Sequence, residues 1–254
     1  GQRYDSLGNR IGSNFRINDN LLSAYGYNSV SYTANRGFVV AWRNQTNLIW
    51  AQLFDYNGNR IGSNFIVNSD TTGSGIRGPS ICQSSANFVI TWARTKSYSQ
   101  LHVYFQRLDT LGNRIGINVL VNRDTLFRPF GQPWISSSAS GNFYIVWDRY
   151  DATQTRRFDI VYQTFDQNGI GLGQNRVITD DLGGCYQFFP AVASDPSGNF
   201  FINWSDCRNG LHLDIYARRF DRTGNPFTHD FIVNDDNSFV YSQEISSIAI
   251  NPFG

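Results

Sequence analysis

The chain has 254 residues, of which 41% are hydrophobic and 15% are aromatic, and its formal net charge is +1 at pH 7. This even balance gives no indication of a nucleic-acid partner, and no apolar run approaches the roughly 20 residues of a membrane-spanning helix. Methionine is absent and Lys96 is the only lysine, so we expect a processed or excised segment of a secreted or cell-surface protein.

A repeated unit of about fifty residues runs along the chain. Its marker reads Phe54-Asp55-Tyr56-Asn57-Gly58-Asn59 in the clearest copy and ends in Val67-Asn68. Periods in this range are typical of propellers, solenoids and arrays, in which each copy is one supersecondary unit. The marker aspartates, whose spacings are 50, 54, 57 and 55 residues, are Asp5, Asp55, Asp109, Asp166 and Asp221.

Four short strands are predicted in each complete repeat. The first is rich in small residues, as in Ser29-Val30-Ser31, and the second alternates Phe, Ile or Val, and Trp, as in Gly37-Phe38-Val39-Val40-Ala41-Trp42. The third strand ends in the marker, whose Asp-x-x-Gly-Asn turn leads into the fourth, because Asp caps such turns and Gly or Asn tolerates a positive φ. Alternation with a period of two predicts strands with one buried face, and no stretch sustains a helical period, so the chain is predicted to be all-β.

Four antiparallel strands per repeat predict the blades of a β-propeller rather than a stack of sandwiches, which need about seven strands per unit. The small-residue strand is expected to be innermost, because strands crowd near the axis, and the Phe-x-Ile-x-Trp strand is expected to pack between neighbouring blades. We predict one domain over residues 1–254, with blades at approximately 20–68, 69–122, 123–179 and 180–234. Residues 235–254 and 1–19 are expected to form a fifth, closing blade.

The repeat resembles a known type. The pattern Tyr-x-Gln-x-Phe-Asp-x-x-Gly-Asn, then Val-Asn, then Gly-Asn-Phe-x-Ile-x-Trp, is similar to a propeller-type repeat common in secreted and surface-anchored bacterial proteins, and the resemblance covers the whole chain. It implies a propeller fold and no catalysis. The fourth copy departs from the pattern, with Asn168-Gly169 in place of Gly-Asn and Val177-Ile178-Thr179 in place of Val-Asn.

The closing blade is expected to lack its second strand and the loop that follows it. A slot of this kind exposes apolar surface and unpaired backbone groups, which favours pairing with another strand. Two explanations are open at this point. The chain is a portion of a longer one, with room for more than five blades, or another protein chain fills the open blade by β-strand addition.

Three cysteines are present, and two of them are predicted to pair. Cys185 precedes one predicted strand and Cys207 follows the next, with a turn at Pro196-Ser197-Gly198 midway between them. Antiparallel pairing would place the two cysteines opposite each other, close enough for a disulfide, which agrees with an oxidising, extracellular setting. Cys82 alternates with Ile81 in an apolar strand and is expected to be a buried small residue.

An arginine follows the Trp-bearing strand in each complete repeat. If these loops surround the axis of a ring, the arginines could bind carboxylate or sulfate groups of a polysaccharide, and aromatic side chains nearby could stack on sugar rings. The alternative is that each arginine packs over its own tryptophan as a structural contact of the repeat. The speculative ligand-binding residues are Arg43, Arg94, Arg149, Arg208, Tyr98, Tyr150 and Tyr186.

Other chemistry has weaker signals. One aspartate per turn is too few for calcium, which needs six to eight oxygens, so no metal and no cofactor is predicted. A propeller glycosidase would need two facing carboxylates, for which Asp148, Asp151 and Asp206 lie in suitable loops without a motif that singles them out. Asn44-Gln45-Thr46 matches the glycosylation sequon, which makes Asn44 a speculative glycan acceptor.

We therefore expect an extracellular, non-catalytic β-propeller that is a structural or adhesive module of a cell surface or an assembly. A lectin-like, glycan-binding propeller is the first alternative, and it would show equivalent pockets in each blade. A propeller glycoside hydrolase is the second, and it would show one asymmetric pocket with converging acids. The partners expected are a polysaccharide or the protein chain that fills the open blade, with no nucleic acid and no membrane insertion.

Overall fold

The computed structural model describes residues 1–19, 24–33, 37–72, 74–97, 100–123, 127–151, 157–178, 185–210, 212–235 and 241–251. Within these ranges the regular structure is all-β, and no helix that could cross a membrane occurs there. The strands are β1 (Arg3–Tyr4), β2 (Arg10–Ile11), β3 (Ala24–Thr33), β4 (Gly37–Asn44), β5 (Ile49–Phe54), β6 (Arg60–Ile66), β7 (Ser74–Ser84), β8 (Asn87–Ser97), β9 (Gln100–Leu108), β10 (Arg114–Leu120), β11 (Phe127–Pro129), β12 (Trp134–Ser137), β13 (Phe143–Asp151), β14 (Arg157–Phe165), β15 (Arg176–Val177), β16 (Gln187–Ser194), β17 (Phe200–Asp206), β18 (Asp214–Phe220) and β19 (Phe231–Ile232).

Four antiparallel sheets form four blades, which confirms the predicted propeller architecture. The strand orders are β3-β4-β5-β6 in blade one, β7-β8-β9-β10 in blade two and β16-β17-β18-β19 in blade four. In blade three the order is β11-β13-β14-β15, and β12 also pairs with β13, so the inner strand of this blade is interrupted.

The small-residue strands are innermost, as predicted. The inner strands of successive blades touch one another, in the sequence β3, β7, β12, β16. Serine side chains join them, since the Ile81 amide donates to Ser29 Oγ at 3.2 Å and the Ile135 amide donates to Ser80 Oγ at 3.3 Å. Small hydroxyl side chains therefore let the strands crowd at the axis and also supply hydrogen bonds between blades.

The marker turns are self-contained hydrogen-bonded units. In the second copy, Asp55 accepts from the Asn59 amide at 2.8 Å and from Asn59 Nδ2 at 2.9 Å, and Gly58 has a φ of +83°. The side-chain hydrogen bond from Asn59 is the main cause that lowers the pKa of Asp55. Both carboxylate oxygens are thus engaged within the turn itself.

The second strand of each blade packs against the preceding blade. Phe143 stacks on Phe165 of its own blade at 5.1 Å, and across the junction it meets Phe105 of blade two edge-on at 5.2 Å. Phe200 stacks on Phe220 of its own blade at 4.9 Å, and across the junction it meets Tyr162 of blade three at 5.4 Å. The predicted role of the Phe-x-Ile-x-Trp strand in packing between blades is confirmed.

Two described pieces of the chain belong to the predicted closing blade. The β1–β2 hairpin packs on blade one, where Phe15 contacts Phe54 edge-on at 5.5 Å. Residues 241–251 run along blade four, where the Gln243 amide donates to the Leu213 carbonyl at 2.7 Å and Asn203 Nδ2 donates to Ser246 Oγ at 2.8 Å. In the part of the chain that is described, no strand pairs with residues 241–251 and only β2 pairs with β1.

Truncation of Phe143 to alanine is expected to lower the free energy of unfolding by about 3–5 kcal/mol, the range for removing a fully buried phenylalanine ring. The matched change Phe38→Ala removes the equivalent ring of blade one, which is only partly buried. We expect Phe38→Ala to cost clearly less, because part of that ring already contacts solvent. Urea denaturation followed by tryptophan fluorescence measures both losses. Equal losses would contradict the packing described for these two blades.

Candidate ligand-binding pocket

One cavity, with a volume of about 480 Å³, is lined by residues of all four blades and by Ile245 and Ser246. Because it is lined from every blade, it lies on the propeller axis. This axial pocket is lined by Tyr27, Arg43, Gly75, Ile76, Arg77, Thr95, Phe130, Gly131, Gln132, Trp134, Asp148, Phe189, Ile245 and Ser246.

Each inner strand departs from regular pairing where it reaches the axial pocket. Bulges fall between Ala24 and Asn28 in blade one and between Phe188 and Ala191 in blade four, with further shifts around Arg77 in blade two. Phe189 has a φ of +54°, and its counterpart in the closing blade, Ile245, has a φ of +57°. Bulges re-aim side chains, and strained non-glycine residues cluster at binding sites. The pocket is therefore shaped by irregularities that the repeat itself does not require.

Asp148 is the buried acid of the axial pocket, with 1% of its surface exposed. Its Oδ1 accepts from the Gly131 amide at 2.5 Å and its Oδ2 accepts from the Phe189 amide at 3.4 Å. The interruption between β11 and β12 supplies the first donor, and the bulge of β16 supplies the second. A Cβ at position 131 would lie 2.6 Å from Asp148 Oδ1, so this approach requires glycine.

Burial raises the pKa of Asp148 from 3.8 to about 6. The hydrogen bonds from Gly131 and Phe189 and the positive charge of Arg77 act in the opposite direction and are outweighed. Desolvation disfavours the charged carboxylate more than these partners favour it. Asp148 can therefore change its charge within the mildly acidic range and can either accept or donate a hydrogen bond to a ligand.

Arg77 joins the axial pocket to a second cavity of about 550 Å³, the side cavity. The two cavities share Arg77, Thr95 and Phe130, and the Arg77 guanidinium lies 5.4 Å from the centre of the Phe130 ring. In the side cavity, Phe158 is 5.0 Å from Phe130 and 5.0 Å from Tyr150, between ring centres. Together the cavities offer a cation, a titratable carboxyl group and several aromatic faces.

The four predicted arginines do not converge on the axis. Arg94 pairs with Asp70 at 3.7 Å, and Arg149 pairs with Asp159 at 3.3 Å. Arg208 contacts Asp206 at 2.6 Å and Asp230 at 2.9 Å, and its guanidinium lies 4.3 Å from the centre of the Tyr216 ring. Each of these three is held within its own repeat. Of the four predicted arginines, Arg43 alone lines the axial pocket, where it also donates to the Ile76 carbonyl.

The predicted tyrosines have different positions. Tyr150 lines the side cavity. Tyr186 stacks on Phe188 at 5.7 Å and belongs to the aromatic group around Phe158, at 5.7 Å between ring centres. Tyr98 lies outside the described residues. The structure therefore brings one of the three, Tyr150, into a cavity that opens towards the axis.

The predicted disulfide between Cys185 and Cys207 is confirmed, with Cα atoms 5.6 Å apart. It indicates an oxidising environment. The third cysteine, Cys82, is buried, and burial raises the pKa of its thiol to about 12.

The sequon at Asn44 lies in a tight turn. Asn44 is 1% exposed, and its Oδ1 accepts from the Thr46 amide at 3.1 Å and from Thr46 Oγ1 at 2.8 Å. The Nδ2 atom, to which a glycan would be attached, is buried. Modification of the folded protein would require this turn to open.

Of the three acids considered for catalysis, one reaches the axial pocket. Asp148 lines it, whereas Asp206 accepts from Trp204 Nε1 at 2.9 Å and pairs with Arg208 inside blade four. The side chain of Asp151 lies outside the described residues.

The sequence analysis did not identify three residues of the axial pocket, Arg77, Phe130 and Phe189. The glycines and prolines that interrupt the inner strands beside these residues were the sequence feature that could have indicated them.

No protein-family model matches the chain, and no curated protein matches it. Solved structures are similar at low identity. A protein of unknown function from Dyadobacter fermentans has a TM-score of 0.65 at 12% identity, covering 85% of this chain and 71% of that one. The α-L-arabinanase of Penicillium chrysogenum has a TM-score of 0.63 at 13% identity, covering 94% and 72%. The endo-arabinase of Bacteroides thetaiotaomicron has a TM-score of 0.52 at 13% identity, covering 78% and 77%. At these identities the likeness supports the fold alone.

The raised pKa of Asp148 predicts a specific dependence of stability on pH. In the folded protein this group holds its proton up to about pH 6, whereas its ordinary pKa is 3.8. The unfolded state binds fewer protons in that window, so stability falls as the pH rises through it, by roughly 2–3 kcal/mol for this shift. The variant Asp148→Asn carries no charge at any pH and should not show this loss.

Urea denaturation at several pH values measures the difference in unfolding free energy between the wild type and Asp148→Asn. The turn aspartates, such as Asp55 with its lowered pKa, lose stability as the pH falls, but they are present in both proteins and cancel. A difference that stays constant from acid to neutral pH would contradict the burial of a titrating Asp148.

Proposed function

We propose that this protein is an extracellular, non-catalytic β-propeller that binds a carbohydrate chain in its axial pocket and thereby acts as an adhesive module. One observation carries the proposal. A single asymmetric cavity on the axis combines a buried carboxyl group, Asp148, with the exposed cation of Arg77 and the aromatic side chains of Tyr27, Phe130 and Trp134.

The composition of the pocket supports a sugar as the ligand. Aromatic rings offer apolar faces on which the C–H faces of a sugar ring can stack, while charged groups make strong hydrogen bonds to its hydroxyl or carboxylate groups. Among the described residues no hydrogen-bond partner of the Arg77 guanidinium is found, so its fork of donors is available to a ligand. The similar Penicillium chrysogenum structure was solved with arabinobiose, which is in line with a carbohydrate ligand.

The same pocket argues against hydrolysis. Glycoside hydrolases use two carboxyl groups, about 5–5.5 Å apart in retaining enzymes and about 6.5–9.5 Å apart in inverting ones. Among the described residues that line the axial pocket, Asp148 is the one carboxylic acid. It is held by two backbone amides, which fixes its position for binding.

An adhesive module has to lie outside the cell. The disulfide between Cys185 and Cys207 supports an oxidising compartment, and the resemblance of the repeat to those of surface-anchored proteins points the same way. The equivalent pockets expected of a lectin-like propeller are not seen among the described residues, because each blade gives different residue types to the axial pocket. One asymmetric pocket favours one ligand chain for each propeller.

Binding to a panel of oligosaccharides, neutral and carboxylate-bearing, tests the proposal by isothermal titration calorimetry. We expect saturable binding by the wild type and a loss of about tenfold or more in Arg77→Gln, since hydrogen bonds to charged groups contribute about 1.5–3 kcal/mol. Phe130→Ala should weaken binding by a similar factor, because it removes the ring that both cavities share. The control Arg10→Gln changes an exposed arginine of the β1–β2 hairpin and should bind as the wild type does.

Two results would count against the proposal. Absence of binding across the panel would remove the carbohydrate ligand. Release of new reducing ends by the wild type, abolished in Asp148→Asn, would show that the pocket is hydrolytic and would replace the adhesive function with a glycoside hydrolase.

A further inference from the structure

The side cavity, of about 550 Å³, lies between blades two and three. Blade two contributes Arg77, Thr95 and Leu101 to its lining, and blade three contributes Tyr150 and Phe158. Of these residues, Leu101, Tyr150 and Phe158 do not line the axial pocket. The side cavity therefore has walls of its own, although it adjoins the axial pocket.

Two departures from regular strand pairing border the side cavity. In blade two, the pairing of β8 with β9 shifts its register between Thr95 and Ser97, and Thr95 lines the cavity. In blade three, the inner strand stops at Pro129 and resumes at Trp134, and both Pro129 and Phe130 line the cavity. Irregularities of this kind are over-represented next to functional sites, where they re-aim side chains. The side cavity thus lies where two neighbouring blades both depart from the repeat.

Phe130, at the boundary of the two cavities, is exposed and yet held in place. It is 45% exposed. Its amide donates to the Asp148 carbonyl at 3.0 Å, and the next amide, that of Gly131, donates to the Asp148 carboxylate at 2.5 Å. Leaving a large apolar ring in water forgoes the free energy of burying it. A ring that the backbone fixes in an exposed position is therefore suited to being covered by a ligand.

Phe130 belongs to an aromatic group. Phe158 lies 5.0 Å from Phe130 with the ring planes at 79°, and 5.0 Å from Tyr150 with the ring planes at 52°. Neither pair is stacked face to face, so these contacts leave parts of the ring faces uncovered. Arg77 is the one charged side chain among the described residues that line the side cavity. The lining therefore favours a ligand that is bound through apolar faces and hydroxyl groups.

The two cavities are continuous at Arg77, Thr95 and Phe130, which line both. The Arg77 guanidinium is 5.4 Å from the centre of the Phe130 ring, so a cation and an aromatic ring lie together where a ligand would pass from one cavity to the other. Pockets for small molecules have volumes of about 300–1,000 Å³. Each cavity reaches this range by itself, so the pair offers room for a chain of linked units.

We infer that the side cavity is a second sugar-binding subsite, so that the ligand is an oligosaccharide that continues from the axial pocket past Arg77 into the space between blades two and three. The inference rests on the proposed carbohydrate binding and adds the course of the chain. One sugar unit occupies the axial pocket, and a later unit lies against the rings of Phe130, Phe158 and Tyr150. Arg77 donates to hydroxyl groups where the chain passes between the cavities. Because ring faces dominate the side cavity, this subsite accepts neutral units.

Two series of oligosaccharides with one to six units, neutral arabino-oligosaccharides and carboxylate-bearing oligogalacturonates, are the probes for isothermal titration calorimetry. In a series that binds, we expect the affinity for the wild type to rise by about tenfold or more once the chain is long enough to enter the side cavity. Short chains that bind weakly are measured by their displacement of a long one.

Tyr150→Ala separates the two subsites, because Tyr150 lines the side cavity and not the axial pocket. It should weaken binding of the six-unit chain by about three- to tenfold, the factor for losing one aromatic contact, and leave binding of the single unit unchanged. Tyr150→Phe keeps the ring and should bind as the wild type does. Tyr241→Ala is the matched control, since it removes an exposed tyrosine that lines neither cavity.

The outcomes distinguish this inference from the proposed function. Binding with the same affinity at every chain length would overturn the second subsite and leave carbohydrate binding at the axis in place. A gain with length that Tyr150→Ala does not reduce would also overturn it, because the added units would then bind elsewhere. No binding at any length would overturn both proposals. If Tyr150→Ala does not fold, the dependence of wild-type affinity on chain length decides by itself.

Discussion

The packing of each Phe-x-Ile-x-Trp strand against the preceding blade is the interaction on which the rest of the structure depends. A four-stranded blade cannot bury either face alone, so the fold forms only when neighbours cover one another. Phe143 and Phe200 are fully buried because a complete blade precedes each of them, whereas Phe38 remains partly exposed. The same rule explains the stable junctions and the open one.

The sequence predicts this framework because its signals are local and repeated. Alternation with a period of two assigns the buried face of each strand, and the Asp-x-x-Gly-Asn turn sets where the third strand ends and the fourth begins. The disulfide was predictable for the same reason, since Cys185 and Cys207 flank one hairpin and pairing of β16 with β17 brings them together. No long-range information was needed for any of these features.

The candidate site is much less accessible to such reasoning. The spacing of arginines after each tryptophan left two interpretations open, a ring of binding groups or a structural contact within each repeat, and an arginine also binds any carboxylate within reach. Arg94, Arg149 and Arg208 find Asp70, Asp159 and Asp230 in their own repeats. Those acids are separated from the arginines by 24, 10 and 22 residues, and the sequence pattern does not indicate that the folded blade joins them. Burial by tertiary contacts, which raises the pKa of Asp148, is equally invisible in the sequence.

A propeller built from equal blades would have equal groups around its axis, so a single asymmetric pocket requires departures from the repeat. The position directly after the tryptophan shows this clearly, because it holds Arg43, Ala93, Asp148 and Ser205 in successive blades. Arg43 and Asp148 line the axial pocket from different sides, and the interruption of the inner strand at Gly131 occurs only in blade three among the described blades. The packing positions that recur in every repeat therefore hold the blades together, while the position directly after the tryptophan differs between repeats and supplies side chains to the axial pocket. Because that chemistry differs from blade to blade, the pocket can recognise a ligand that has no rotational symmetry.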